Sequence, residues 1–262
     1  MDVEIKPYVL LQITCEVRYR QGYRYLDRCG DTLVRIEDAM PGWAASDVNL
    51  NSGSLENKEQ SMKYVFGPSN AALTQTQISI KSGEAFLKHA GVLITTTLDS
   101  VKPSGFDRLG IRFFDLRGVA SASEGIALIE RSEFLRSAKD VSKLLGKEPS
   151  GRNLAYRVED EKSGLTLRVA TVRRSGMQLN DDIPFEDVKR APEIPAHKQP
   201  KDQDRIRIEQ IKKQKEIAEA PTLGVLVDLD FYEKRPKDCA IIEFVKRGFE
   251  ERRRILGALL TK

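Results

Sequence analysis

The sequence predicts an α+β fold, in which a mixed, mostly antiparallel sheet of about seven strands carries helices on one face. Three observations predict it. The chain opens with a long alternating strand, amphipathic helical segments separate later strands, and the N-terminal elements follow the order β-α-β-β-α-β. That order is ferredoxin-like. Because 40% of the 262 residues are hydrophobic, we also expect a packed core.

The first strand is predicted over residues 9–19, where apolar side chains alternate with mostly polar ones. Its apolar face consists of Val9, Leu11, Ile13, Cys15, Val17 and Tyr19. Gly22 ends the strand, and a helix with apolar residues at helical spacing follows, ending before Pro41. The apolar stripe of this helix is predicted to be Leu26, Cys29, Leu33, Ile36 and Met40.

The remaining elements of the N-terminal half follow from turn residues and spacing. Residues 43–58 are rich in Asn, Ser and Gly and predict a loop. A short strand over Met62, Tyr64 and Phe66 stops at a turn, and Ile78 and Ile80 mark the returning strand. A helix over residues 86–101 and a strand over residues 108–117 complete the half.

The second half is predicted to contain a helical region over residues 121–145 and a hairpin that joins residues 154–158 to 165–169. A last strand over residues 223–232 and a last helix over residues 239–260 follow. Between the hairpin and the last strand lies a proline-rich and then charged insertion, from Asn180 to Ala220. We therefore predict a ferredoxin-like half, residues 1–118, and an α+β half, residues 119–262, that carries the insertion at about 180–220.

Charge and cysteine content predict a cytoplasmic protein. The net charge of +4 permits an anionic partner without demanding one. The three cysteines are widely spaced and contain no C-x-x-C pair, which is typical of reduced thiols. The sequence contains neither a signal-peptide pattern nor an apolar stretch long enough for a membrane span, so no membrane association is expected.

The sequence lacks the familiar catalytic motifs. His89 and His197 are its two histidines, and neither has a second ligand at metal-binding spacing. The nucleophile elbow, the P-loop, the dinucleotide-binding glycine motif and the zinc-protease motif are absent. The sequence therefore favours a protein that is not an enzyme and has no cofactor, and it leaves one catalytic alternative open.

Asp228 and Asp230 form the one acidic pair considered as a metal site. Residues two apart on a strand share a face, which places the two carboxylates about 7 Å apart. Such a pair can hold Mg²⁺ for phosphodiester chemistry. The alternative is a solvated outer face, opposite the buried side chains of Val227 and Leu229.

Basic and aromatic residues alternate at the junction of the first strand and helix, and two more arginines share a face of the mid-chain strand. Guanidinium groups pair with phosphates and rings stack on bases, so these residues are candidates for nucleic-acid binding. The candidates are Arg18, Arg20, Tyr23, Arg24, Arg108 and Arg112. The alternative is structural, with Arg18 paired to Glu16. The run Arg252-Arg253-Arg254 on the last helix predicts a solvated helix face.

Three segments together resemble a sporadically distributed, uncharacterised family of bacterial proteins of similar length. They are the opening strand after Pro7, the strand Asp107-Arg108-Leu109-Gly110-Ile111-Arg112-Phe113-Phe114, and the ending Leu226-Val227-Asp228-Leu229-Asp230-Phe231-Tyr232 before a long helix. The second segment is similar to the family's R-x-G-L-R-aromatic pattern, and the third to its L-x-D-x-D-x-Y pattern. This chain has Phe113-Phe114-Asp115 where the family has Tyr, a hydrophobic residue and Asn. The resemblance implies this layout and a bacterial source, but no mechanism.

Two functional hypotheses follow. The first is a non-enzymatic protein-binding or adaptor subunit, whose partner is another protein bound through the insertion from Asn180 to Ala220. The second is an RNA- or DNA-binding protein, with a metal-dependent nuclease as its catalytic variant.

Overall fold

The computed structural model describes residues 5, 8–76, 78, 82–131, 153–173 and 223–260. Nine strands in these ranges form one sheet in the order β2-β3-β4-β5-β1-β6-β9-β8-β7, and every neighbouring pair is antiparallel. The strands are β1 (Val9–Arg20), β2 (Ala44–Val48), β3 (Gly53–Asn57), β4 (Met62–Phe66), β5 (Asn70–Thr76), β6 (Gly105–Gly118), β7 (Asn153–Glu159), β8 (Ser163–Arg173) and β9 (Leu223–Lys234). The helices of these ranges are α1 (Tyr25–Ala39), α2 (Ser82–Val101), α3 (Ala122–Arg131) and α4 (Ile241–Leu260). The predicted α+β class is confirmed, with nine strands instead of about seven.

In the N-terminal half, β1, α1, β4, β5, α2 and β6 follow the predicted ferredoxin-like order, and the β2–β3 hairpin is added between α1 and β4. Strand β1 lies between β5 and β6, and β4 pairs with the far side of β5. Helix α1 follows β1 in the chain, and α2 connects β5 to β6. Both connections bring the chain back to the same sheet, as the β-α-β-β-α-β order requires.

The predicted loop over residues 43–58 is wrong, because this segment forms the hairpin of β2 and β3. Its composition is that of a loop, but Leu55 is fully buried and β3 pairs with β4 along its whole length. The hydroxyls of Ser46 and Ser54 hydrogen-bond across the hairpin at 2.8 Å. The small polar side chains of this segment do not predict a strand, and the hairpin is stabilised by the pairing of β3 with β4.

The returning strand of the next hairpin was also predicted at the wrong place. It is β5, and it begins at Asn70 immediately after the turn, so Ile78 lies beyond its end and Ile80 lies outside the described residues. The alternating buried residues of β5 are Ala71, Leu73 and Gln75. Alanine, threonine and glutamine dominate this strand, and the isoleucines downstream gave a stronger but misleading signal.

The C-terminal elements extend the same sheet. Strand β9 pairs with β6 from Gly224 to Lys234, and the predicted hairpin of β7 and β8 continues from β9. Helix α3 covers the first part of the predicted helical region, and residues 132–152 lie outside the described residues. The insertion from Asn180 to Ala220 also lies outside them. The division into two halves at residue 118 stays a prediction, since the sheet runs through both.

All four helices pack on one face of the sheet, where the core lies. The side chains that point to this face include Cys15, Val17, Leu73, Tyr64, Ile111, Phe113, Leu229 and Leu167. Phe249 of α4 meets Phe113 edge to face, and Phe244 of α4 stacks on Phe231. The Tyr64 hydroxyl donates to the Leu93 carbonyl of α2. No helix in the described ranges is long and apolar enough to span a bilayer.

Two details of the buried stripes differ from the sequence prediction. A bulge between Leu10 and Gln12 shifts the alternation of β1, so Val9 is 56% exposed whereas Leu10 is buried. On α1, Tyr25 occupies the buried stripe in place of Leu26, which is 62% exposed. The Tyr25 hydroxyl donates to the Asn49 carbonyl at 2.9 Å, so this buried ring keeps a hydrogen-bond partner.

The core also contains two polar pairs. Arg252 of α4 donates to the Asp115 carboxylate of β6 through Nε and Nη2, at 2.9 and 2.5 Å, and both side chains are fully buried. The prediction that Arg252 belongs to a solvated helix face is therefore wrong. The Trp43 indole N–H donates to Nδ1 of His89 at 3.0 Å, which holds this buried histidine in its neutral form.

Candidate functional site

The face of the sheet opposite the helices is polar and carries many arginine and carboxylate side chains. None of the described helices packs on it. It is built by every second residue of β1, β6, β9, β8 and β7, because residues in register across a sheet share a face. We call this surface the arginine face and define it by Glu16, Arg18, Arg108, Arg112, Phe114, Arg157, Glu159, Arg168, Asp228, Asp230, Tyr232 and Lys234.

Asp228 is the most buried charge of the arginine face. Arg112, on the neighbouring strand, grips its carboxylate with Nε and Nη2 at 2.7 Å each. Arg168 approaches the same carboxylate from the other side at 3.9 Å. The hydrogen bond with Asp228 raises the pKa of Arg112 against the opposing effect of burial. The Arg112 guanidinium also lies 4.6 Å from the centre of the Phe114 ring, a cation–π contact.

Asp230, two residues after Asp228 on β9, is also contacted by an arginine of β6. Nη2 of Arg108 lies 2.7 Å from both carboxylate oxygens of Asp230, and Nη1 lies 3.6 Å from Glu16. The same guanidinium sits 4.7 Å from the centre of the Tyr232 ring. Arg108 therefore joins three strands, β1, β6 and β9, through one planar group.

Glu159 forms the third group of contacts, at the β7 edge. It accepts hydrogen bonds from the Tyr232 hydroxyl and Arg157 at 2.8 Å each and pairs with Lys234 at 3.2 Å. These donors, the Tyr232 hydroxyl first, lower the pKa of Glu159 to about 2. Glu159 is thus ionised at all physiological pH values and fixes the far end of the Tyr232 ring.

Two glycines create the space that these side chains occupy. A Cβ on Gly164 would lie 2.4 Å from the Tyr232 ring, and a Cβ on Gly110 would lie 3.3 Å from the Arg108 guanidinium. Both glycines lie on the arginine face, in register with Tyr232. The absence of a side chain at both positions lets the ring and the guanidinium lie flat on the sheet.

The structure brings together five of the eight residues selected from the sequence. Arg18, Arg108, Arg112, Asp228 and Asp230 all lie on the arginine face. Arg18 pairs with Glu16 at 3.0 Å, as the structural alternative expected.

Of the other three selected residues, Arg20 continues the outward alternation of Glu16 and Arg18 on β1, and Tyr23 and Arg24 do not belong to the sheet. Arg20, at the end of β1, pairs with Asp107 at 2.8 Å. Tyr23 and Arg24 precede α1, outside the sheet. The basic and aromatic cluster of the strand–helix junction is therefore split between two regions, and its nucleic-acid role stays a prediction.

The two aspartates point to the same side, as expected from their spacing, but arginine donors contact both carboxylates. Among the described residues there is no group of three or more His, Cys, Asp or Glu side chains that could hold a metal ion. The metal role of Asp228 and Asp230 stays a prediction. A metal ion at this place would have to compete with Arg112 and Arg108 for the two carboxylates.

Sequence reasoning missed Tyr232, Glu159 and Lys234 as parts of this surface. The sequence could have predicted that Tyr232 lies on this face, because it continues the alternation of Asp228 and Asp230 on β9. Its contact with Glu159 depends on β7 and β8 following β9 in the sheet, which no local pattern reveals.

In comparisons with known proteins, no protein-family model matches the chain and no curated protein matches it. The resemblance to an uncharacterised bacterial family therefore stays a prediction. The functional argument rests on the geometry of the arginine face.

Proposed function

We propose that this protein is a non-enzymatic binding subunit that docks another protein on its arginine face. The observation that carries the proposal is the pairing of Arg108 and Arg112 with Asp230 and Asp228 on a sheet face that no described helix covers. Antiparallel sheets commonly leave one polar face to solvent, and exposed ion pairs on such a face contribute little to stability, so the positioned arginines are available to a partner.

The balance of charge on the arginine face favours a protein partner over nucleic acid. Six cations (Arg18, Arg108, Arg112, Arg157, Arg168, Lys234) stand among four carboxylates (Glu16, Glu159, Asp228, Asp230). A phosphate that approached Arg112 would also meet the carboxylate of Asp228, which lies 2.7 Å from that guanidinium, and be repelled. Surfaces of mixed sign with positioned arginines and a tyrosine are typical of protein interfaces.

The arginines of this face are ordered before any partner arrives. Arg112 is held by two hydrogen bonds and an aromatic ring, and Arg108 by a carboxylate and the Tyr232 ring. Binding therefore requires little further loss of side-chain entropy at these positions. Around them, Arg157 and Arg168 keep more than half of their side-chain surface exposed and supply the outer, variable contacts.

The test is capture of a partner by tagged full-length protein from a lysate of the source organism. The double variant Arg157→Glu, Arg168→Glu reverses two exposed charges without touching the buried side of the sheet. We expect it to retain at least about tenfold less of a stoichiometric partner, as like charges now oppose each other across the interface. The matched control is Arg253→Glu, an exposed charge reversal on α4 at the helical face, which should capture normally.

Two results would contradict this assignment. Equal capture by the double variant and the control would remove the arginine face as the docking surface. Loss of capture in a chain lacking residues 180–220, with full capture by the double variant, would assign the partner to the insertion instead. The retained species also decides between the classes, because nucleic acid released by salt would support the alternative hypothesis.

A further inference from the structure

The edge of the sheet at β2 lies beside an apolar stripe on α1, and together they form a groove. Every residue of β2 is exposed, and among the described strands β2 pairs with β3 alone, so within this part of the chain its other edge has no strand partner. Two contacts hold α1 alongside it. The Tyr25 hydroxyl donates to the Asn49 carbonyl at the start of the helix, and Glu37 accepts from the Ala45 N–H at 2.7 Å near its end.

The flank of α1 next to this open edge is apolar and exposed. Leu26, Gly30 and Val34 recur at four-residue spacing on the side of the helix that also carries Glu37. Leu26 and Val34 are more than half exposed, and no atom lies within 4 Å of the place where a Gly30 Cβ would stand. Leu50 in the β2–β3 turn is 79% exposed at the end of the same groove.

Hydrogen bonds organise the β2–β3 turn and the outer edge of β2. Asn49 organises the β2–β3 turn, because its Oδ1 accepts from the N–H groups of Asn51 and Ser52. The Ala45 N–H has no strand carbonyl as its acceptor and is instead satisfied by the Glu37 carboxylate. A strand added at this edge therefore displaces the Glu37 carboxylate from the Ala45 N–H, supplies its own carbonyl as the acceptor, and leaves Glu37 free to pair with a cation.

The charge around the groove has one sign. By helical spacing, Asp27 and Asp38 flank the apolar stripe of α1 and Glu37 lies within it, while Asp47 belongs to β2; we call these four the rim carboxylates. The cations of α1 lie on the opposite side of the helix, where Arg28 pairs with Asp31 and Arg35 donates to Ser100 of α2. Positive charge is therefore the complement that this groove lacks.

We propose that the groove between β2 and α1 binds an extended basic segment of a partner protein, which adds to the sheet as a tenth strand. Its backbone pairs with the open edge of β2, its alternate apolar side chains lie on Leu26 and Val34, and its lysines or arginines meet the rim carboxylates. A second copy of this chain is not the occupant, because two β2 edges would oppose four carboxylates with four more. The site is separate from the arginine face and does not depend on the proposed function.

The probe is a fluorescently labelled peptide of five Lys-Val repeats, with five Glu-Val repeats as its charge control. We expect saturable binding of the Lys-Val peptide to the full-length chain and no binding of the Glu-Val peptide. The variant Asp38→Lys, Asp47→Lys should bind the Lys-Val peptide about tenfold more weakly. The matched control is Asp99→Lys, Glu243→Lys, two exposed carboxylates on α2 and α4, which should bind as the wild type does.

Hydrogen exchange separates strand addition from loose charge attraction. The bound peptide should slow exchange at the backbone amides of residues 44–48 and leave β7, at the opposite edge, unchanged. Protection at β7 or on the strands of the arginine face would overturn the proposal, as would equal affinities of the two charge-reversal variants. The Arg157→Glu, Arg168→Glu variant should bind the peptide normally, so failure of either proposal can be recognised without the other.

Discussion

At the scale of single residues, the buried pair of Arg252 and Asp115 is the strongest constraint on the core. Burial raises the pKa of Asp115, and the hydrogen bonds from Arg252 act in the opposite direction. The hydrogen bonds between the two groups replace the water that each has lost, since an isolated charge in this position would be costly. The pair fixes α4 on β6 directly behind Asp228 and Phe114 of the arginine face.

Arg252→Met should therefore lower the free energy of unfolding by about 3–5 kcal/mol, because it leaves Asp115 buried without its cation. Urea unfolding at neutral pH measures this loss. The double variant Asp115→Asn, Arg252→Met should recover part of it, and Arg253→Met on the exposed side should stay within roughly 0.5 kcal/mol of the wild type. A loss below about 1 kcal/mol for Arg252→Met would contradict the buried pair.

His89 makes part of the stability dependent on pH. Burial, followed by the nearby charge of Lys88, lowers the pKa of His89 below its ordinary value of 6.5. The unfolded chain therefore binds a proton more readily than the folded chain does. The contribution of His89 to the free energy of unfolding is complete above pH 6.5. It is lost as the pH falls from 6.5 through the lower pKa that His89 has in the folded chain.

The variant His89→Gln, which keeps an acceptor for Trp43, should flatten this dependence. The wild type should lose stability more steeply than the variant between roughly pH 7 and pH 5, by at most about 1.4 kcal/mol per pH unit. Urea unfolding of both proteins across this range gives the difference in slope. Parallel curves would show that His89 titrates alike in both states.

At the scale of elements, alternation in the sequence located the main strands, the last helix and the outward positions of the arginines. It failed where both faces of a segment look alike. In β1, Val9, Leu10 and Leu11 are all apolar, so the sequence does not show that a bulge exposes Val9. In β2 and β3, polar and small residues hid a hairpin that only its pairing with β4 reveals.

The ion pairs of the arginine face were harder to predict from the sequence than the residues that form it. The positions of Arg108, Arg112, Asp228 and Asp230 follow from period-2 spacing, but their ion pairs require β6 and β9 to be neighbours. More than a hundred residues separate these strands in the chain. Arg252 shows the same limit, since a run of three arginines beside glutamates predicts a solvated helix face until the opposite strand is known.

Gly164 offers a test at this scale. Gly164→Ala should destabilise the junction of β8 and β9 by about 1–3 kcal/mol, because the new methyl group overlaps the Tyr232 ring. Displacement of that ring also removes the hydroxyl donor of Glu159, so the pKa of Glu159 should rise from about 2 towards its ordinary value.

Thermal or urea unfolding measures the first effect of Gly164→Ala, and NMR titration of the carboxylate measures the second. Gly105→Ala is the control, as no atom lies within 4 Å of its new Cβ. Equal stability of the two variants would argue against the packing of Tyr232 on Gly164.

At the scale of the whole molecule, the sheet separates a helical side that stabilises the fold from an open side that is ordered but uncovered by any described helix. The ion pairs of the open side connect five adjacent strands, β1, β6, β9, β8 and β7. The β2 edge, with its acidic rim, lies at one end of the sheet, and β7 lies at the other. The proposed groove at β2 and the arginine face, which begins at β1, are thus separated by β3, β4 and β5 of the same sheet.

The most direct measurement is the composition of what full-length tagged protein retains from a native lysate at low salt. Mass spectrometry identifies retained proteins, and ultraviolet absorbance reports retained nucleic acid. We predict a stoichiometric protein partner that remains bound when nucleic acid has been removed by nuclease. Retention of nucleic acid alone, released steeply by added salt, would contradict the protein-docking function and make Arg112 and Arg108 phosphate ligands instead.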